Sequence, residues 1–120
     1  MGKKTVVLGA SMNPARYSNM AIKRLTSHQH PVVAIGRRKG AIGDVEIKTD
    51  HAAEEDVDTV TLYIGAKNQD SWKEYVYKLN PRRLIFNPGT ENADFKKEAE
   101  AKGIECVEAC TLVLLSIGSY

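Results

Sequence analysis

Residues 4–18 read KTVVLGASMNPARYS. Thr5 to Leu8 is a short β-prone run, and Gly9, Ala10 and Ser11 end it with small residues. Turn formers follow, and a helix-like segment opens near Ser18. A strand, a small-residue turn and a helix N-terminus in succession leave free backbone N–H groups beside a positive helix end. A phosphate group is the natural occupant of such a place. Gly9 would admit a close ligand, Ala10 and Ser11 keep the space open, and the Ser11 hydroxyl can hold phosphate oxygens. Arg16 adds a planar, five-donor cation in the same loop, and Ser18 can cap the helix and reach the ligand. The stretch is not G-x-G-x-x-G, so the dinucleotide fingerprint is absent.

Working outward, Ser18 to His28 carries Ala21, Ile22 and Leu25 at helical spacing. Pro31 to Ile35 is nearly continuously apolar, as a strand covered on both faces should be. Gly36, Arg37, Arg38, Lys39 and Gly40 end it. Val45–Ile47 reads as a short edge strand, and Glu54, Glu55 and Asp56 read as solvated. Val57–Ile64 holds a third strand. Ser71 and Glu74 form a capping-box pattern ahead of Trp72, Tyr75, Val76 and Leu79, which predicts a helix over 71–79. Arg83–Phe86 is a fourth strand, followed by the turn Asn87-Pro88-Gly89. Thr90 is placed to cap a helix with Glu91 and Asp94 in its first turn and Phe95 and Ala99 inside. Gly103 suits the helix end, and Ile104–Ala109 is a fifth strand. Residues 110–116 fit a short buried helix or a strand.

Strands separated by helix-length segments predict right-handed crossovers and a mostly parallel sheet. The expected fold class is α/β: three layers, five strands, order 3-2-1-4-5. Ligands in such folds lie outside the carboxyl ends of the strands, at the switch point, here expected between the first and fourth strands. One domain over residues 1–120 is the reading from length.

Composition narrows the partners. The net charge of +2 argues against a dedicated nucleic-acid binder. Residues 1–50 nevertheless hold nine Lys or Arg against three acids, while 51–120 hold eight against twelve. Cys106 and Cys110 provide neither a disulfide framework nor a metal tetrad. No secretory leader or bilayer-length apolar run is read, so the expectation is a cytoplasmic protein without membrane contact. No nucleophile elbow, H-E-x-x-H or Walker A motif occurs, and no catalytic or metal-binding residues are assigned. A sheet of this size has edges that a homodimer would cover.

The basic surplus has a position. Arg37, Arg38 and Lys39 follow the second strand, where an NAD-binding domain wants an acid for the ribose hydroxyls. Three cations there suit an extra phosphate on that ribose. NADP carries one at the 2′ position and coenzyme A one at the 3′ position, and both stay open at this point. Asn87, Gly89 and Thr90 end strand four near the switch. Ile64 and Ala66 flank Gly65 as an apolar floor expected under an adenine, and Lys67 adds charge. Cys110 reads as a thiol near the end of strand five and Cys106 as core.

The segments VVLGASMNPARYSN, PVVAIGRRKG and NPGTEN together resemble the small stand-alone CoA-binding proteins. These are similar to the N-terminal CoA-binding domain of the succinyl-CoA synthetase α subunit. The likeness runs from about Lys3 to Cys110. It implies a Rossmann-like domain with coenzyme A, or an acyl-CoA, across the strand ends. It implies Gly9, Ala10, Ser11, Arg16 and Ser18 around the pyrophosphate, and Arg37, Arg38 or Lys39 at the adenosine phosphate. Two departures stand out. The family's strand two usually ends in Asn-Pro before a basic residue, where this chain has Ile35-Gly36-Arg37. After strand four it has Asn87-Pro88-Gly89 in place of a glutamine. The synthetase's phosphohistidine belongs to a later domain, so no ligase activity is implied. The expected role is CoA binding without catalysis, or presentation of a CoA adduct for use by an unknown protein partner. The alternatives are an NADP-binding reductase or sensor, and an interaction module with a degenerate nucleotide pocket.

Overall fold

Val6, Val7 and Leu8 are completely shielded from solvent in the computed structural model, which describes residues 2–120. They lie at the centre of a seven-stranded sheet, and alternate side chains feed its two faces. The strands are β1 (Thr5–Ala10), β2 (Val32–Gly36), β3 (Gly40–Ile42), β4 (Val45–Lys48), β5 (Thr59–Leu62), β6 (Arg83–Phe86) and β7 (Glu105–Glu108). The helices are α1 (Tyr17–Ser27), α2 (Lys73–Leu79), α3 (Ala93–Ala101) and α4 (Thr111–Ser116). Val6 and Leu8 pack with Val76 and Leu79 of α2 and Phe95 and Ala99 of α3. Val7 and Ala10 pack with Ile22 and Leu25 of α1 and Leu115 of α4. Helices therefore cover both faces, giving three layers.

The strand order is β3-β4-β2-β1-β5-β6-β7. All pairings are parallel except the β3–β4 hairpin. This corrects the expected five-stranded order 3-2-1-4-5. Val45–Lys48 is a full member of the sheet, paired to β2, and Gly40–Ile42 folds back on it. The strand at 59–62 pairs with β1 on the side away from β2, in register Val6 to Val60. The physical reason is the crossover rule: β4 occupies the outer edge of β2, so β5 takes the free edge of β1. The switch point accordingly lies between β1 and β5, not between β1 and Arg83–Phe86.

Local expectations change in the same spirit. Arg16, in extended conformation, occupies the N-cap of α1, and Ser18 lies inside the first turn. Ser71 does not cap α2: a 3₁₀ turn at Asp70–Trp72 precedes it and no side chain caps it. Asn92, not Thr90, caps α3, its Oδ1 accepting the Phe95 N–H at 3.1 Å. Thr90 instead donates its hydroxyl to the Asn87 carbonyl, and Glu91 accepts the Gly89 N–H ahead of the helix. Residues 111–116 are helical, with Thr111 and Leu115 buried. Gly103 adopts φ +86 just past α3, and Ile104 N–H reaches back to the Ala99 carbonyl. No helix among the described residues is long and apolar enough to cross a membrane.

Glu54 was read as solvated, and the fold gives it a partner. Its carboxylate lies 3.0 Å from Lys4 Nζ and 3.5 Å from Lys48 Nζ, and its side chain is only 15% exposed. The hydrogen bond from Lys4 holds its pKa below the ordinary 4.5 against the opposing effect of burial. A depressed folded-state pKa stabilises above the unfolded value and is lost as pH falls through the folded one. Glu54→Gln should therefore be less stable than the parent at pH 7. The gap should close as the solution is acidified below the usual carboxylate range, read by urea midpoints from pH 7 to pH 3.

Candidate functional site

One cleft of about 1460 Å³ runs across the carboxyl ends of β2, β1, β5 and β6. The loop after β1 forms its centre, and its shape is set locally. Gly9 has φ +100, and a Cβ there would lie 2.9 Å from the Tyr63 carbonyl carbon and oxygen. The β1–β2 register also shifts between Leu8 and Ala10. Gly9 thus serves a close approach of the chain to itself, in addition to lining the cleft. Gly36 is similar: a Cβ would fall 2.3 Å from the Ala10 carbonyl oxygen.

Beyond the bulge the loop is braced by its own polar groups. Ser11 Oγ accepts the Asn13 N–H at 3.1 Å, which leaves the hydroxyl proton free to donate outward. Asn13 Oδ1 accepts the Ala15 N–H, and the Asn13 carbonyl accepts the Arg16 N–H. Asn19, buried in α1, donates from Nδ2 to the Ser11 carbonyl at 2.9 Å. The N–H groups of Tyr17 and Ser18 find no acceptor within the described chain. No acid lies in the first turn of α1, and a cation, Arg16, sits at its N-cap. A cation against the positive end of a helix is unfavourable unless an anion joins them. An anion at this end would meet both the helix N-terminus and the Arg16 guanidinium.

Most of the residues expected from sequence converge here. Gly9, Ala10, Ser11, Arg16 and Ser18 line the centre of the cleft. Gly36, Arg37 and Arg38 line one end, with both arginines exposed. Ile64, Lys67 and Gly89 line the other. Two do not join them. Lys39 lies outside the lining, pointing the basic run's contribution to its first two members. Asn87 is 1% exposed and fully engaged in the core. Its Nδ2 donates to Thr61 Oγ1 and the Leu62 carbonyl at 2.6 and 2.8 Å, and its Oδ1 accepts the Thr111 N–H. It fastens β5, β6 and α4 below the cleft. Ala66 and Cys110 are also absent from the lining. Cys106 is half-buried beside α3, and burial pushes its thiol up to about 11.

Several lining residues had no signal in the sequence. Trp72, the single tryptophan, was read as part of a helical core stripe. It does pack against the core, and the 3₁₀ turn that precedes α2 also places it at the cleft wall, with the His51 ring tilted against it at 4.1 Å. Thr49, after β4, lines the cleft from the same side. Met12 lies over Gly40, where a Cβ would be 2.3 Å from its sulfur. That contact ties the first loop to the β3–β4 hairpin. Gln69 is fully buried behind the wall, with Nε2 donating to the Ile64 and Thr90 carbonyls.

Comparison with known proteins follows this geometry. The sequence matches the CoA binding domain family over residues 3–116. The chain belongs to the CoA-binding domain family. Its fold is shared with the crystal structure of an uncharacterized protein at 45% identity and TM-score 0.97, covering 100% of this chain and 99% of that one. A conserved hypothetical protein from Pyrococcus furiosus is similar at 25% identity and TM-score 0.80, covering 92% and 97%. A hypothetical protein from Pyrococcus horikoshii OT3 shares the fold at 21% identity and TM-score 0.84, covering 93% and 80%. Comparison with curated proteins gives no match.

A CoA-binding chain needs somewhere for the ligand to meet backbone, and Gly65 is the glycine without another duty. Its φ of −61 and ψ of 152 suit any residue, and a Cβ there would meet no protein atom within 4 Å. Gly65→Ala should keep or raise stability, by about 0.4–1 kcal/mol, while weakening ligand binding roughly tenfold. Gly36→Ala should instead lose about 1–3 kcal/mol through overpacking. Thermal melts paired with titration calorimetry separate the two outcomes.

Proposed function

We propose that this protein binds coenzyme A or an acyl-CoA along the strand ends, without performing chemistry on it. The observation that carries the reading is the layout of charge along the cleft. Arg37 and Arg38 stand at one end, the start of α1 with Arg16 stands at the centre, and the opposite wall at Ile64 and Gly89 carries a single cation, Lys67. Coenzyme A has the same order of parts. Its adenosine 3′-phosphate suits the paired guanidinium groups, its pyrophosphate suits the helix N-terminus, and its neutral pantetheine arm suits the far wall. Ser11 and the Tyr17 and Ser18 N–H groups supply neutral donors for the pyrophosphate oxygens. Gly65 provides an open backbone face beyond them.

The composition of the cleft lining supports a role without catalysis. Among the described residues, the lining has no histidine and no cysteine, and its one acid, Asp70, is engaged with Lys73 at 3.2 Å. Tyr63 is held protonated by burial, well above the ordinary tyrosine range. The protein would then act by holding CoA, as a carrier or sensor read by a partner.

Titration calorimetry with CoA, dephospho-CoA, NADP and NAD tests this, with Trp72 emission as a second readout. CoA should bind more tightly than dephospho-CoA. Arg37→Ala together with Arg38→Ala should weaken CoA about tenfold or more, the worth of a charge-assisted hydrogen bond. Dephospho-CoA should be little affected. Equal losses for both would remove the 3′-phosphate from this end of the cleft, and preferential binding of NADP would replace the CoA reading with the reductase or sensor.

A further inference from the structure

Gln69 is the one large polar side chain of the cleft wall with no solvent exposure, although Asn68 and Asp70 on either side are exposed. Burying an amide is costly unless its hydrogen bonds are made. Here both Nε2 protons are used, on the Ile64 and Thr90 carbonyls at 2.8 Å each. Its Oε1 accepts from Asn92 Nδ2 at 2.9 Å, and Asn92 in turn caps α3. The side chain is a brace between two loops that have no backbone ladder to hold them, the one after β5 and the one after β6.

The brace has a directional consequence. In a planar trans peptide the C=O and the following N–H point opposite ways. Fixing the Ile64 carbonyl on buried Gln69 turns the Gly65 N–H away from the core, on the side where Gly65 lines the cleft. That N–H has no acceptor within the described chain. The Thr90 carbonyl, held by the same amide, sets the distance at which the Gly89–Thr90 loop stands from Gly65.

We propose that Gln69 is a positioning residue for the amide-bearing arm of the ligand: it presents the Gly65 N–H to that arm and fixes the gap between the two loops that flank it. The proposal rests on the CoA reading of the cleft and goes further by dividing the cleft into two separable halves. The charged half, at Arg37, Arg38 and the start of α1, does not depend on Gln69. The half at Gly65 and Gly89, where Lys67 is the one cation of the lining, does.

The division is tested by comparing CoA with adenosine 3′,5′-bisphosphate, which has the 3′-phosphate and no pantetheine arm. Gln69→Met removes the donors at similar length. Asn92→Ser is gentler: it keeps a capping oxygen for α3 and removes only the donor to Gln69 Oε1. Both are followed by Trp72 emission and calorimetry, with melting curves to establish the folded population. CoA affinity should fall about tenfold or more in Gln69→Met and about threefold in Asn92→Ser, toward that of the bisphosphate, as lost preorganisation requires. Bisphosphate affinity should change less than about twofold. Equal losses for the two ligands would make Gln69 merely structural and overturn the proposal, as would unchanged CoA binding in a folded Gln69→Met or, should that variant not fold, in Asn92→Ser. Parent protein that takes neither ligand overturns the CoA reading itself, an outcome visible before any variant is made.

Discussion

The parting of two chain paths beside β1 is the constraint on which the rest depends. β1 and β5 are parallel neighbours in register, so both end at the same level. From there the chain leaves β1 toward α1 on one face and leaves β5 toward α2 on the other. Two parallel strands whose continuations go to opposite faces cannot close the space above them. The cleft exists because the helices must cover both faces of a sheet that is apolar on both. Val6, Val7, Leu8, Val60 and Leu62, all fully buried, make that demand in hydrophobic terms.

A gap of this origin becomes a binding site only if its rims are held and its floor stays thin. The rims are held by polar side chains that spend themselves inside the protein. Asn19 ties the first loop to α1, Asn87 ties the end of β6 to β5 and α4, and Gln69 ties the loops after β5 and β6. The floor stays thin because Gly9 and Gly36 let neighbouring backbones touch where a Cβ would force them apart. These residues look like binding residues by type and position. Their first duty is to keep the backbone where a ligand can use it. The groups left over include Arg16, Arg37, Arg38, Lys67, the Ser11 hydroxyl and the N–H groups of Tyr17, Ser18 and Gly65.

The sequence made the layered α/β class legible, because Val6–Leu8 and Val32–Ile35 are apolar on consecutive residues and the helices carry their own periodicity. The strand order was not legible for a specific reason. Val45–Lys48 offers only Val45 and Ile47 as apolar signals, too few to insist on a place beside β2. Leaving it out of the count moved the next strand to the wrong side of β1. Most of the cleft residues could be read because they are small or cationic and follow strands directly. Asn87 could not be told from a ligand contact, since an asparagine at a strand end satisfies either a ligand or the core equally well. Trp72 and Gln69 were hidden by the irregular turns at Ala66–Asn68 and Asp70–Trp72, whose 3₁₀ geometry breaks the helical phase used to assign faces.

The asymmetry of charge along the cleft is the last step. A purely structural loop gains nothing from placing Arg16 at the positive end of α1, with no acid in the first turn to offset it. The same holds for Arg37 and Arg38, exposed beside each other at the end of β2 with no salt bridge to either among the described residues. A few cations elsewhere do find acids: Lys4 and Lys48 share Glu54, and Lys73 lies between Asp70 and Glu98. Arg16, Arg37, Arg38 and Lys67 line one cleft with no salt bridge to any of them among the described residues, and on the CoA reading the arginines among them face the phosphates of the ligand. On that reading, the spread of Arg16 and the Arg37–Arg38 pair over two strand ends suits negative charge at two points, as a nucleotide with both a pyrophosphate and a ribose phosphate would supply.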